Sequence, residues 1–270
     1  METINNSEQT SHPSIRDGVT LILKQLLTMA IVMGTAGVAI PPLYKYIVGK
    51  NENNVIIITS AVYSVILLII FIKKKWCILS PNYMQSKPWD IFLWTALVGF
   101  GTIIPAAFLD SIIPNLPNVV ADKINGIIKN DYGYFTLCIF APFVEEMIFR
   151  GSVLKMLLRI NKHKWGAIAI SALIFSLMHM NPAQMPYAFI AGLFLGWLYA
   201  RTGSILPGVV FHWVNNTTVF VFCRLMPQYS DSDLIQIFGD DHKHLGLAII
   251  FSLFIMLPAI FQLHIRTKKI

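Results

Sequence analysis

Two adjacent glutamates, Glu145 and Glu146, sit inside an apolar run, F-A-P-F-V-E-E-M-I-F-R-G, with Arg150 four residues after the second. Further along, His179 ends the run F-S-L-M-H, one helical turn after Phe175, and His212 precedes Asn216 by four residues in F-H-W-V-N-N. A carboxylate, two imidazoles and a carboxamide make a hydrolytic set. Glu145 can take a proton from water while His179 holds or shares that water. His212 and Asn216 are i, i+4 on one helix face and can donate to the oxygen that turns negative as water adds to a carbonyl. Water is the expected nucleophile, because no G-x-S-x-G or Cys-His context is present. Ser171 and Ser176 read as small packing residues.

Each of these residues also has a plainer reading. Glu146 and Arg150 are i, i+4 and can neutralise one another. A membrane histidine or asparagine can be interhelical glue, and Asn215 is read that way. Glu145 lacks a basic partner at i±3 or i±4, which sets it apart. A metal alternative stands beside the metal-free one: Glu145, His179 and His212 form a two-histidine, one-carboxylate set able to hold zinc. Against it, no H-E-x-x-H is present and Asn216 would be an unusual further ligand. Cys77, Cys138 and Cys223 have no metal spacing and read as reduced residues.

The elements that must position these groups are apolar helices. The 270 residues are 55% hydrophobic and 13% charged, against about 25% charged in a soluble domain. A membrane-spanning helix needs roughly 20 apolar residues. Candidate spans cover 20–43, 54–72, 89–109, 133–157, 165–181, 186–200, 204–223 and 245–265, with a tight turn at Asn181-Pro182 between the short fifth and sixth. The expected fold is therefore all-α, a polytopic bundle of about eight transmembrane helices, with seven as the alternative. The polar start, with Glu2, Glu8, His12 and Asp17, lacks the pattern of a signal peptide, so the first helix is expected to stay as an anchor.

With both termini in the cytoplasm, that side collects Arg16, Lys73, Lys74, Lys75, Lys87, Lys155, Arg159, Lys162, Lys164, Arg201, Arg266, Lys268 and Lys269. The other side has only Lys45, Lys50, Lys123, Lys129, Arg224 and Lys243. This bias satisfies the positive-inside rule, and the net charge of +7 needs no nucleic-acid partner. Of the carboxylates, only Glu145 and Glu146 lie deep in a span, where a charge costs roughly 2.5–3.5 kcal/mol and marks a functional site by default. Of the seven histidines, only His179 and His212 lie deep. At 1.5 Å per residue, Glu145 and His179 sit roughly 20 Å, and His212 and Asn216 roughly 12 and 18 Å, from their cytoplasmic ends. One shared layer is expected.

The three elements E-E-x-x-x-R, F-x-x-x-H and H-x-x-x-N, in this order on separate helices, resemble the CAAX protease and bacteriocin-processing family of intramembrane peptidases. That family is also called Abi and is similar to the eukaryotic endopeptidase that trims prenylated CAAX proteins. I-F-R-G, A-G-L-F-L-G-W-L-Y-A and T-G-S-I-L-P agree with it, over about residues 133–222. The resemblance implies that Glu145 and His179 activate water, that His212 and Asn216 form the oxyanion site, and that Glu146, Arg150 and Phe175 support them.

It divides the chain into a tail and three framing helices (1–130), a catalytic core (131–225), and an outer loop with the last helix (226–270). The expected activity is endopeptidase cleavage of a membrane-associated peptide or membrane-anchored protein tail, without a cofactor, in a multi-pass protein of the bilayer. The Ile- and Lys-rich, short-looped sequence reads as bacterial, hence a plasma-membrane protein and a bacteriocin-like peptide substrate. The rival readings are a non-catalytic immunity or scaffold protein of the same fold and a proton-coupled transporter, whose internal repeats are not visible.

Overall fold

The computed structural model describes residues 13–48, 52–77, 81–113, 116–229 and 232–267. Glu2, Glu8, His12, Lys50, Asp231, Lys268 and Lys269 lie outside the described residues, as does the side chain of Glu52. The described residues form helices and turns, with no strand among them. In order the helices are α1 (Ile15–Ile47), α2 (Glu52–Lys73), α3 (Pro81–Gln85), α4 (Trp89–Gly101), α5 (Ile103–Ile112) and α6 (Ala121–Ile128). After them come α7 (Ala141–Ile148), α8 (Lys155–Ile160), α9 (Lys164–Met178), α10 (Met185–Thr202), α11 (Leu206–Leu225), α12 (Leu234–Ile237) and α13 (His242–Arg266).

Each of the eight expected segments is helical over most of its length, but the number of spans is not thereby eight. Among the described residues, four stretches are long and apolar enough to cross a membrane: Ile15–Ile47, Asn54–Lys73, Trp89–Ile112 and His242–Arg266. The remaining helices are shorter, interrupted, or diluted by Tyr, Trp, His, Asn and Arg. α9, for example, has only 15 residues, about 22 Å of rise. The four apolar helices make the chain an integral membrane protein.

The long outer helices are built for a uniformly apolar surrounding. α1 has Ser14 as its N-cap, whose Oγ accepts from the Asp17 amide at 3.1 Å. It exposes Leu23, Leu27, Ile31 and Val38. The expected span 89–109 is broken at Thr102 into α4 and α5. There the Thr102 hydroxyl donates to the Gly99 carbonyl at 2.9 Å, competing with the helical ladder. The expected turn at Asn181-Pro182 separates α9 from α10. Asn181 is fully buried, accepts from the Val119 amide and donates to Asn118, both at 3.0 Å, so the turn is tied to the loop after α5.

The middle of the molecule is one continuous helix, 133–160. Two π-helical segments, Phe135–Phe140 and Phe149–Leu154, bracket α7 within it. α2 and α11 pack against α7, α9 and α10 pack against the second π segment, and α1 lies on α2 and α8. Met147, Ile148, Val153 and Leu154 are fully buried here.

Candidate active site

Glu145 and Glu146 leave α7 in different directions, and the structure gives them different surroundings. Glu146 is fully buried, and its Oε1 accepts from Arg150 Nη1 at 2.8 Å. The ion pair expected from the i, i+4 spacing therefore forms, even though Arg150 lies in the π-helical turn. Arg150 is itself buried and sends Nη2 toward the Gly192 carbonyl on α10 at 3.5 Å. Its guanidinium lies 4.3 Å from the centre of the Phe175 ring. A charge pair placed deep in a helix bundle needs such further partners to offset its desolvation.

Glu145 keeps 31% of its side chain exposed and meets a basic partner from another helix. His212 on α11 places Nε2 3.6 Å from Glu145 Oε2 and Nδ1 3.8 Å from Glu146 Oε1. The ring thus stands between the two carboxylates, at ion-pair distance from both.

Phe175 joins the two histidines. Its ring meets His179 edge-on at 4.7 Å and His212 at 6.1 Å between centres, and it also packs on Phe149 at 5.1 Å. His179 caps the end of α9, and its Nδ1 lies 2.9 Å from the Phe175 carbonyl. That contact uses one ring nitrogen and leaves Nε2 for other work. Asn216 is placed differently: its amide donates to the Leu137 carbonyl, in the first π-helical segment, at 2.9 Å. Glu145, His212, Phe175 and His179 are thus linked through direct contacts, while Asn216 fastens α11 to the entry of the central helix.

The remaining polar groups resolve as packing. Asn215 donates to Tyr187 Oη at 2.8 Å, and to the Gly99 carbonyl and Thr102 Oγ1 at 3.3 Å, as interhelical glue does. Ser171 donates to the Phe149 carbonyl and Ser176 to the Met185 carbonyl. Cys77 and Cys138 are free thiols. Cys77, in the loop after α2, is buried, and burial pushes its thiol up to about 11. Among the described residues no group of three or more His, Cys, Asp or Glu side chains is placed to hold a metal ion.

Two features leave no mark in the sequence. Tyr63 on α2, the helix that packs against α7, is hydrogen-bonded to Ser60; a tyrosine in an apolar span gives no such signal. A cavity of about 510 Å³ runs along the central helix between α2 and α11, lined by Leu68, Phe140, Phe143, Val144, Val209 and Trp213 among others. Its wall residues Val144 and Trp213 are the chain neighbours of Glu145 and His212. Nothing in residue spacing reveals such a cavity, because its walls come from three separate parts of the chain.

Residues 132–218 match the family model described as type II CAAX prenyl endopeptidase Rce1-like. The similarity to the CAAX protease family therefore holds for the stretch that carries all three motifs. No curated protein and no solved structure matches the chain.

Proposed function

We propose that this chain is an intramembrane endopeptidase that cleaves a membrane-associated peptide or protein tail with an activated water. The similarity over residues 132–218 is to a protease family. The observation that carries the reading is the meeting of Glu145 with His212 at 3.6 Å, where Glu145 is partly open beside the buried Glu146–Arg150 pair. Glu145 is the base: it takes the proton of a water that His179 orients through its unused Nε2. The hydroxide oxygen attacks the carbonyl carbon, and the carbonyl oxygen gathers the negative charge. His212, with Asn216 one turn further along α11, donates to that oxygen. Donors of this type contribute about 3–4 kcal/mol each to the transition state. Asn216 has a second amide hydrogen for this role beside the one given to Leu137. Collapse of the intermediate breaks the C–N bond, and Glu145 returns the proton to the leaving amine.

In this reading Glu146, Arg150 and Phe175 hold the cluster, no cofactor takes part, and both termini face the cytoplasm of a bacterial cell. The zinc form through Glu145, His179 and His212 is the alternative chemistry. Strong chelation separates the two: the metal-free reading expects undiminished cleavage, and loss of cleavage that zinc restores would replace it.

The cellular test compares the peptide inventories of cells carrying the wild type or Glu145→Ala at equal expression. Peptides that depend on Glu145 are expected. Identical inventories would favour the non-catalytic immunity or scaffold reading. Proton flux in vesicles under a pH gradient, absent in the peptidase reading, would favour the transporter.

A further inference from the structure

Gly208 lies in the first turn of α11, four residues before His212 and eight before Asn216, so the three form one stripe along the helix. A side chain at 208 would run into Glu146. An ideal Cβ built there overlaps Glu146 Oε2 and comes within 3.0 Å of its Cδ and 3.5 Å of its Cγ. The Glu146 carboxylate therefore occupies the volume that any larger residue at 208 would need.

We infer that Gly208 is a positioning residue of the site: its bare Cα lets the Glu146 carboxylate lie between Arg150 and the His212 ring, and so fixes that ring between two carboxylates. The inference rests on the same cluster as the proposed peptidase but concerns how the cluster is built. Glu146 has no easy retreat. It is fully buried, and its Oε1 is held by Arg150 at 2.8 Å while His212 Nδ1 stands 3.8 Å away. Neither Glu146 Oε2 nor His212 Nδ1 has a hydrogen-bond partner among the described residues. Their orientation is set by packing, and packing is what a methyl at 208 would change. The first turn of α11 is also the positive end of the helix dipole, which favours a carboxylate there. A swing of Glu146 away from residue 208 must lengthen its bond to Arg150 or change its distance to His212.

The test needs no substrate, so it is independent of whether the chain cleaves peptides. The full chain is prepared in lipid nanodiscs with 15N-labelled histidine, and the His212 ring nitrogens are assigned by their loss in His212→Asn. In Gly208→Ala the His212 signals are expected to shift in the same direction as in Glu146→Gln. The His179 signals, held by the Phe175 carbonyl, stay in place. Shortening the acid makes room for the methyl, so Gly208→Ala/Glu146→Asp is expected to bring the His212 signals back toward the wild type. Gly246→Ala, where a Cβ meets nothing within 4 Å, is the control. If Gly208→Ala does not fold, recovery of folded protein by the added Glu146→Asp supports the same contact. His212 signals in Gly208→Ala that coincide with the wild type would overturn the proposal. Failure of the double variant to restore either signals or fold would also overturn it.

Discussion

The central helix and α1 are both apolar helices of one bundle, yet they are stabilised in opposite ways. α1 runs 33 residues and leaves most of its side chains on the outside, Leu23, Leu27, Ile31 and Val38 among them. The helix 133–160 is shorter, contains two π-helical segments, and buries an arginine and a glutamate beside Met147, Val153 and Leu154. A helix facing lipid gains little from which apolar residue it carries, because hydrocarbon is as apolar as leucine. A helix enclosed by others gains or loses on every atom, and can hold a charge because partners surround it. The candidate site residues lie where the surroundings are specific.

The largest break in this contrast is expected at Arg150. Arg150→Met leaves Glu146 buried and unpaired, and should cost about 3–5 kcal/mol. Thermal aggregation of the purified protein should show a large fall in melting temperature. Next comes Phe175→Leu, which removes a cation–π contact of about 0.5–2 kcal/mol. It also removes ring contacts to Phe149, His179 and His212, so roughly 2 kcal/mol is expected in all. The same variant should lower cleavage more than its stability loss explains, because both histidine rings lose a neighbour.

Asn215→Leu, which strips donors from Tyr187, Thr102 and the Gly99 carbonyl, should cost roughly 1 kcal/mol in the same melting assay. At the other end of the scale, Leu27→Ala on the outer face of α1 should stay within about 0.5 kcal/mol and leave cleavage unchanged. A large effect at Leu27 would mean that α1 is covered by more than lipid.

The same contrast explains what the sequence could show. The expected spans 54–72 and 245–265 agree closely with α2 and α13, because a run of apolar residues is itself the signal. The central helix was also legible as a helix, but not its π-helical turns, which leave no mark in spacing. The break at Thr102 depends on a hydroxyl meeting a carbonyl. The short helices α3, α6 and α12 have 5, 8 and 4 residues, too few for a periodic pattern.

At the site, the Glu146–Arg150 pair could be read from i, i+4 spacing alone. The placing of His212 between two carboxylates could not, because it depends on how α11 approaches α7. Phe175 was visible only as a motif residue; its four ring neighbours come from three helical stretches. Asn216 holds Leu137 on a segment no pattern would connect to it.

The most direct test of the central claim follows the oxygen. The purified chain in nanodiscs is incubated, in H2 18O and with chelator present, with membrane peptides extracted from cells carrying Glu145→Ala. New peptide C-termini bearing one 18O are expected from the wild type, and none from Glu145→Gln. Wild-type protein that yields no labelled ends, or a Glu145→Gln variant that yields as many, would contradict it.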